Sequence, residues 1–89
     1  MKEEINVRGK TFVVSELLAR QFDEIQEKVE SIEDEKKRNS ESYRLQVQAC
    51  ANLTEDQYNS LTLFERTQIT KCMNKLNSVD DFQKDLKEE

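Results

Sequence analysis

LTEDQYNSLTLFERTQITKCMNKLN, residues 53–77, holds two helix starts in succession. Thr54 is followed three residues later by Gln57, so a hydroxyl and an amide can satisfy each other's free backbone N–H groups at a helix N-terminus. Leu53 and Tyr58 then occupy the positions of a hydrophobic staple. Eight residues on, Thr62 and Glu65 repeat the capping box, and beyond them Ile69, Met73 and Leu76 recur at spacings of four and three, one face of a helix. The spacing predicts a short helix near Glu55 to Asn59 and a longer one near Leu63 to Leu76. The rest of the chain reads as packing around this stretch.

Working back from it, Glu41 to Ala51 forms a helix with Tyr43, Val47, Cys50 and Ala51 inward, ended by Asn52. Arg38-Asn39-Ser40 reads as the break before it. An earlier helix, capped by Ser15 with Glu16 in its first turn, carries Leu17, Leu18, Phe22, Ile25, Val29 and Ile32 at threes and fours through about Lys37. Its seam is narrow, and Glu24 to Lys28, Glu33 to Lys37 and Asp34 to Arg38 place acid before base at i,i+4, as on an exposed helix. A bundle or interface helix fits this better than a self-sufficient coiled coil.

Residues 4–14 read as a β-hairpin. Ile5 and Val7 alternate with polar residues, Arg8-Gly9 supply the turn, and Thr11 to Val14 are strand formers. Gly9 is the chain's single glycine, and a turn that needs positive φ accounts for its place. Forward of Asn77, residues 78–89 form an acidic tail. Ser78 and Asp81 stand at capping-box spacing, and Val79, Phe82 and Leu86 at a spacing that permits a short amphipathic helix. The fold class expected is mainly α with a short N-terminal β-hairpin, an α+β domain of about four helices, with residues 16–77 as the helical core and 1–89 as a single domain.

Composition bounds the function. The 89 residues suit one small domain with a thin core. A mean hydropathy of −0.92 and 37% charged residues lean toward disorder, but the periodicity argues for folding. A net charge of −5 and a pI near 4.8 repel phosphate backbones, so no nucleic acid partner is expected; Lys36-Lys37-Arg38 reads as cations placed against a helix C-terminus. No apolar run is long enough to span a bilayer and the first residues lack a signal peptide's apolar region, so a cytoplasmic protein with no membrane contact is expected. Cys50 and Cys72 have no CxxC spacing and no histidine to join them, and read as buried free thiols.

With no histidine, Gly-rich loop or nucleophile motif, catalysis is not expected. The carboxylates lie mainly on predicted exposed faces, and Glu30, Glu33 and Asp34 lack the turn that wraps a cation. No cofactor or metal is expected. Association remains. Phe12, Phe22, Tyr58, Phe64 and Phe82 are more large aromatics than so small a core readily encloses. Phe12 and Phe22 read as core, whereas Phe64 and Phe82 are divided between core and anchor. The candidate protein-binding residues are Phe64, Met73, Phe82 and Phe12, with the flexible Met73 suited to a groove that accepts varied helical side chains.

The order of features also carries a resemblance. Val7, Gly9, Lys10, Thr11, Phe12, Val13, Glu16 and Leu17, followed by Leu53, Thr54, Gln57, Leu61, Phe64, Ile69, Leu76 and Asn77, resemble the pattern of the small tail assembly chaperones of long-tailed bacteriophages. It spans nearly the whole chain and consists mostly of apolar spacing with caps. The resemblance implies a non-enzymatic protein that binds the long helical tape-measure protein, keeps it soluble and helps recruit tail-tube subunits, and that is absent from the finished virion. Such proteins are often made in a short and a frameshift-extended form; this chain resembles the short one. A second reading, from another class, is an acidic regulatory protein that blocks a nucleic-acid-binding protein by charge mimicry. A two-stranded hairpin is marginal alone, so a homo-oligomer is expected, with Phe12 and Val14, or alternatively Thr11 and Val13, facing a helix.

Overall fold

The computed structural model describes residues 1–77; the expected cap at Ser78 and Asp81, the tail helix and Phe82 lie outside the described residues. Strands β1 (Lys2–Val7) and β2 (Lys10–Ser15) form an antiparallel hairpin, followed by α1 (Ala19–Val29), α2 (Glu35–Ala51), α3 (Glu55–Asn59) and α4 (Leu63–Asn77). The expected class, a hairpin followed by four helices, is what the described residues form.

Register and turn chemistry explain the hairpin. Ile5 pairs with Phe12 and Val7 with Lys10, so the loop is the two residues Arg8 and Gly9. Both have positive φ, 53° and 88°, as a type I′ turn requires to match the twist of the strands. Asn6 Oδ1 accepts a hydrogen bond from the Gly9 N–H at 3.1 Å and steadies it. Alternation then puts Glu3, Ile5 and Val7 with Lys10, Phe12 and Val14 on the inner face, while Thr11 and Val13 are exposed. Of the two alternatives for the inward pair, Phe12 and Val14 is the one formed.

Three boundaries differ from the sequence reading. The hairpin runs over 2–15 rather than 4–14, because Ser15 pairs with Lys2 and so cannot cap a helix. The first helix starts instead at Ala19, where Leu18 has no side-chain acceptor and Gln21 Oε1 takes the Leu18 N–H at 2.9 Å, half of a capping box. The expected break at 38–40 falls inside α2; the real one precedes Glu35. Asp34 caps α2 by accepting from the Lys36 and Lys37 N–H groups at 2.9 and 3.2 Å, and Arg38 Nη1 donates back to the Ile32 carbonyl at 3.0 Å. The basic cluster 36–38 therefore opens α2 rather than closing a helix. Asn52 ends α2 in the left-handed region at φ 53°, and the Leu53 N–H bonds to the Gln48 carbonyl, a closure of Schellman type.

The core forms where α2, α4 and the inner face of the hairpin meet. Val14, Val47, Cys50, Ala51, Ile69, Cys72 and Met73 are buried together, with Ile5, Phe12, Leu17, Leu53, Tyr58, Leu61 and Leu76 packed on them. Both cysteines are free and buried. Helix α4 runs in the same direction as α2, with Asn74 bonded to the Tyr43 hydroxyl and Asn77 Nδ2 reaching Cys50 Sγ. Helix α1 packs on α2 through buried Ile25 and Val29, and Gln26 Nε2 donates to the buried Ser42 hydroxyl at 3.1 Å. Three residues expected inside are not: Leu18 is 56% exposed, Phe22 42% and Tyr43 40%. Phe22 stays out of the core because α1 packs mainly on α2 and Ile25 and Val29 take that contact.

Candidate protein-binding surface

Both capping boxes close as their spacing predicts. The Gln57 N–H donates to Thr54 Oγ1 at 3.1 Å and the Thr54 N–H to Gln57 Oε1 at 2.8 Å. At the start of α4, the Glu65 N–H donates to Thr62 Oγ1 at 3.1 Å and the Thr62 N–H to Glu65 Oε1 at 2.8 Å. The second box is tied into the tertiary structure. Lys10 reaches across from the inner face of the hairpin to Glu65 Oε2 at 3.1 Å, where the Glu65 side chain is 6% exposed. The Thr62 backbone N–H first, then the Lys10 ammonium, hold the Glu65 carboxyl below its ordinary pKa.

A second polar contact joins hairpin and helix at the other end of the inner face. Glu3 accepts from the Cys72 thiol at 3.4 Å and from Lys75 Nζ at 3.3 Å. These two donors, the thiol foremost, lower the Glu3 carboxyl. Burial and the neighbouring Glu3 raise the Cys72 thiol, while burial raises Cys50, so both thiols stay protonated at neutral pH. Lys10 and Glu3 lie on the apolar face of the hairpin, two residues from Phe12 and Ile5. The sequence reading did not locate these two charges, because alternation left both faces of β2 open as the inward one.

With the hairpin so anchored, its turn lies over the first turn of α4. The Arg8 guanidinium sits 4.0 Å from the centre of the Phe64 ring, a cation–π contact. Phe64 remains 42% exposed and the adjacent Leu63 71%. Glu65 turns inward to meet Lys10, and at about 100° per residue positions 63 and 64 are then carried outward. Arg8, Leu63 and Phe64 thus form an exposed rim in which the Arg and the aromatic ring are residue types enriched at protein interfaces.

The candidate residues divide. Phe64 is on the rim. Phe12 is half-buried and packs against the core, as one of its two readings had it. Met73 is 2% exposed, so the expectation that it is presented to a partner is corrected: it fills the core between α2 and the hairpin. Sequence reading did not place Arg8 on Phe64, since a turn residue's reach across the fold leaves no local pattern. It also missed Asn77, whose Oδ1 accepts the Leu17 N–H at 2.7 Å while its amide donates to the Met73 carbonyl at 3.0 Å.

Among the described residues no group of three or more His, Cys, Asp or Glu is placed to hold a metal ion, and no helix is long and apolar enough to cross a membrane. No family model, curated protein or solved structure matches the chain.

Proposed function

We propose that this chain is a non-catalytic tail assembly chaperone of a long-tailed bacteriophage, which holds a helical tape-measure protein in the host cytoplasm and helps to recruit tail-tube subunits. The observation that carries the reading is the Arg8, Leu63 and Phe64 rim: apolar surface left outside the core, at the junction of the two parts of the chain that resemble the family. An amphipathic client helix presents anchors at i, i+3, i+4 and i+7, and a rim of this composition offers one such anchor a ring and a cation.

Co-expression with a long helical client encoded beside this chain tests it. The client is expected to be soluble with the chain present and to be retained on it in a pull-down. Phe64→Ser is expected to reduce retention at least about tenfold, the loss of one modest hot spot. A client that binds wild type and Phe64→Ser alike would remove the rim from the mechanism, and the absence of any binding would remove the chaperone reading.

A further inference from the structure

A cationic groove opens between the N-terminal half of α2 and the middle of α4. It encloses about 600 Å³, and its lining includes Lys36, Arg66 and Lys71 over a floor containing Tyr43 and Tyr58, with Ser40 at its side and no acid among the described lining residues. None of the three cations lies within 4.0 Å of a carboxylate among the described residues. In a chain of net charge −5 this is a local reversal of sign.

The compensating charge lies elsewhere on the same molecule. Between Asp23 and Glu35 the single base is Lys28. Asp23, Glu27 and Glu30 recur at spacings of four and three, so they share one stripe, and all are exposed on the side of α1 away from buried Ile25 and Val29. Helix α1 packs on the flank of α2 that carries Ser42, Leu45 and Ala49. Lys36, Ser40 and Tyr43 occupy another flank, roughly across the helix axis at 3.6 residues per turn. Stripe and groove therefore cannot meet within one copy. A convex acidic ridge and a concave basic groove on different sides of one rigid body are complementary between copies.

We infer that the groove receives the Asp23, Glu27 and Glu30 stripe of a second copy of this chain in a head-to-tail contact. Each copy carries one ridge and one groove, so the contact is heterologous and either propagates or closes into a ring. It uses neither the hairpin edge nor the Arg8 and Phe64 contact; Arg66 borders Leu63 of the rim, so the ridge variant, which touches neither, separates this inference from the chaperone reading.

Sedimentation of the full chain at about 0.01 M and about 1 M salt, where the screening length is about 30 Å and about 3 Å, tests it. At low salt the mass is expected to rise with concentration above the 10.5 kDa monomer, and at high salt to return to it. The charge reversal Arg66→Glu with Lys71→Glu, and separately Asp23→Lys with Glu27→Lys, should each raise the association midpoint by at least about tenfold. All four positions are exposed, and circular dichroism verifies that the variants fold; Arg66→Gln with Lys71→Gln serves should the reversal disturb the fold. The decisive arm mixes the two reversed variants, in which each groove again meets a ridge of opposite sign, and association should return. A wild type that stays monomeric at low salt, variants that assemble as wild type does, or a mixture that fails to reassociate would each overturn the inference. The first of these is the result expected if the groove instead takes an acidic segment of another protein.

Discussion

Glu65 serves two elements with one carboxylate, closing the Thr62 box through Oε1 and meeting Lys10 through Oε2. Thr54→Ala and Thr62→Ala should each lower stability by about 1 kcal/mol in urea melts, the usual loss for an N-cap. The two losses should be similar, because the Thr62 N–H that holds the Glu65 carboxylate belongs to the backbone and survives the substitution. The same geometry sets a pH dependence. Glu65 and Glu3 both titrate below the ordinary 4.5 in the folded chain. The folded state therefore binds fewer protons there than the unfolded state, and the stability gained is complete above about that pH and drains away as the pH falls through and below it. The urea midpoint should drop between pH 6 and pH 3, and Glu65→Gln should make that drop shallower. An unchanged slope in the variant would show that Glu65 contributes no linkage. Met73 teaches the opposite lesson at this scale, since its type suited an adaptable surface while its place on the Ile69 face put it in the core.

Elements form where side chains satisfy backbone groups, and α2 begins at Glu35 for that reason. Asp34 bonds two free N–H groups there, so Asp34→Ala should cost about 1 kcal/mol and fray the first turn, read as lost amide protection at Lys36 and Lys37. The hairpin turn has a different sensitivity. A Cβ on Gly9 would meet nothing within 4 Å, so Gly9→Ala should cost only the left-handed backbone, about 1 to 2 kcal/mol; a much larger loss would mean that the turn is crowded in a way its geometry does not suggest. The hairpin, both double caps and α4 were legible because each is specified within a few neighbouring residues. The start of α1 and the break before α2 were not. Ser15 has a capping side chain, but pairing across to Lys2 claims its backbone. The run Phe22, Ile25, Val29, Ile32 stays in helical phase through the break, so period alone could not show where Asp34 takes over. The rim was half legible: Phe64 stood out as one of more large aromatics than the core readily encloses, whereas Arg8 reached it only through tertiary packing.

Across the whole molecule, distant segments are held by a few polar stitches around a small apolar centre. Asn77 joins the strand-to-helix connection at Leu17 to the end of α4 and to Cys50 of α2. Lys10 with Glu65 and Glu3 with Lys75 pin the hairpin at both ends of its inner face. Such a domain has little stability to spare, so a substitution at its centre and one on its rim should part widely. Ile69 is fully buried, whereas Phe64 is 42% exposed and has its ring under Arg8. Truncating a buried Ile commonly costs about 2 to 5 kcal/mol, and a hydroxyl left in the cavity adds to it. Removing an exposed ring and its cation contact should cost on the order of 1 kcal/mol. Circular dichroism melts should therefore find Ile69→Ser largely unfolded at room temperature and Phe64→Ser folded with a modestly lower Tm. A Phe64→Ser protein that melts as badly as Ile69→Ser would place the ring in the core's energetics and leave the rim without a binding role, because a side chain that the fold needs that much is not free to be spared for a partner.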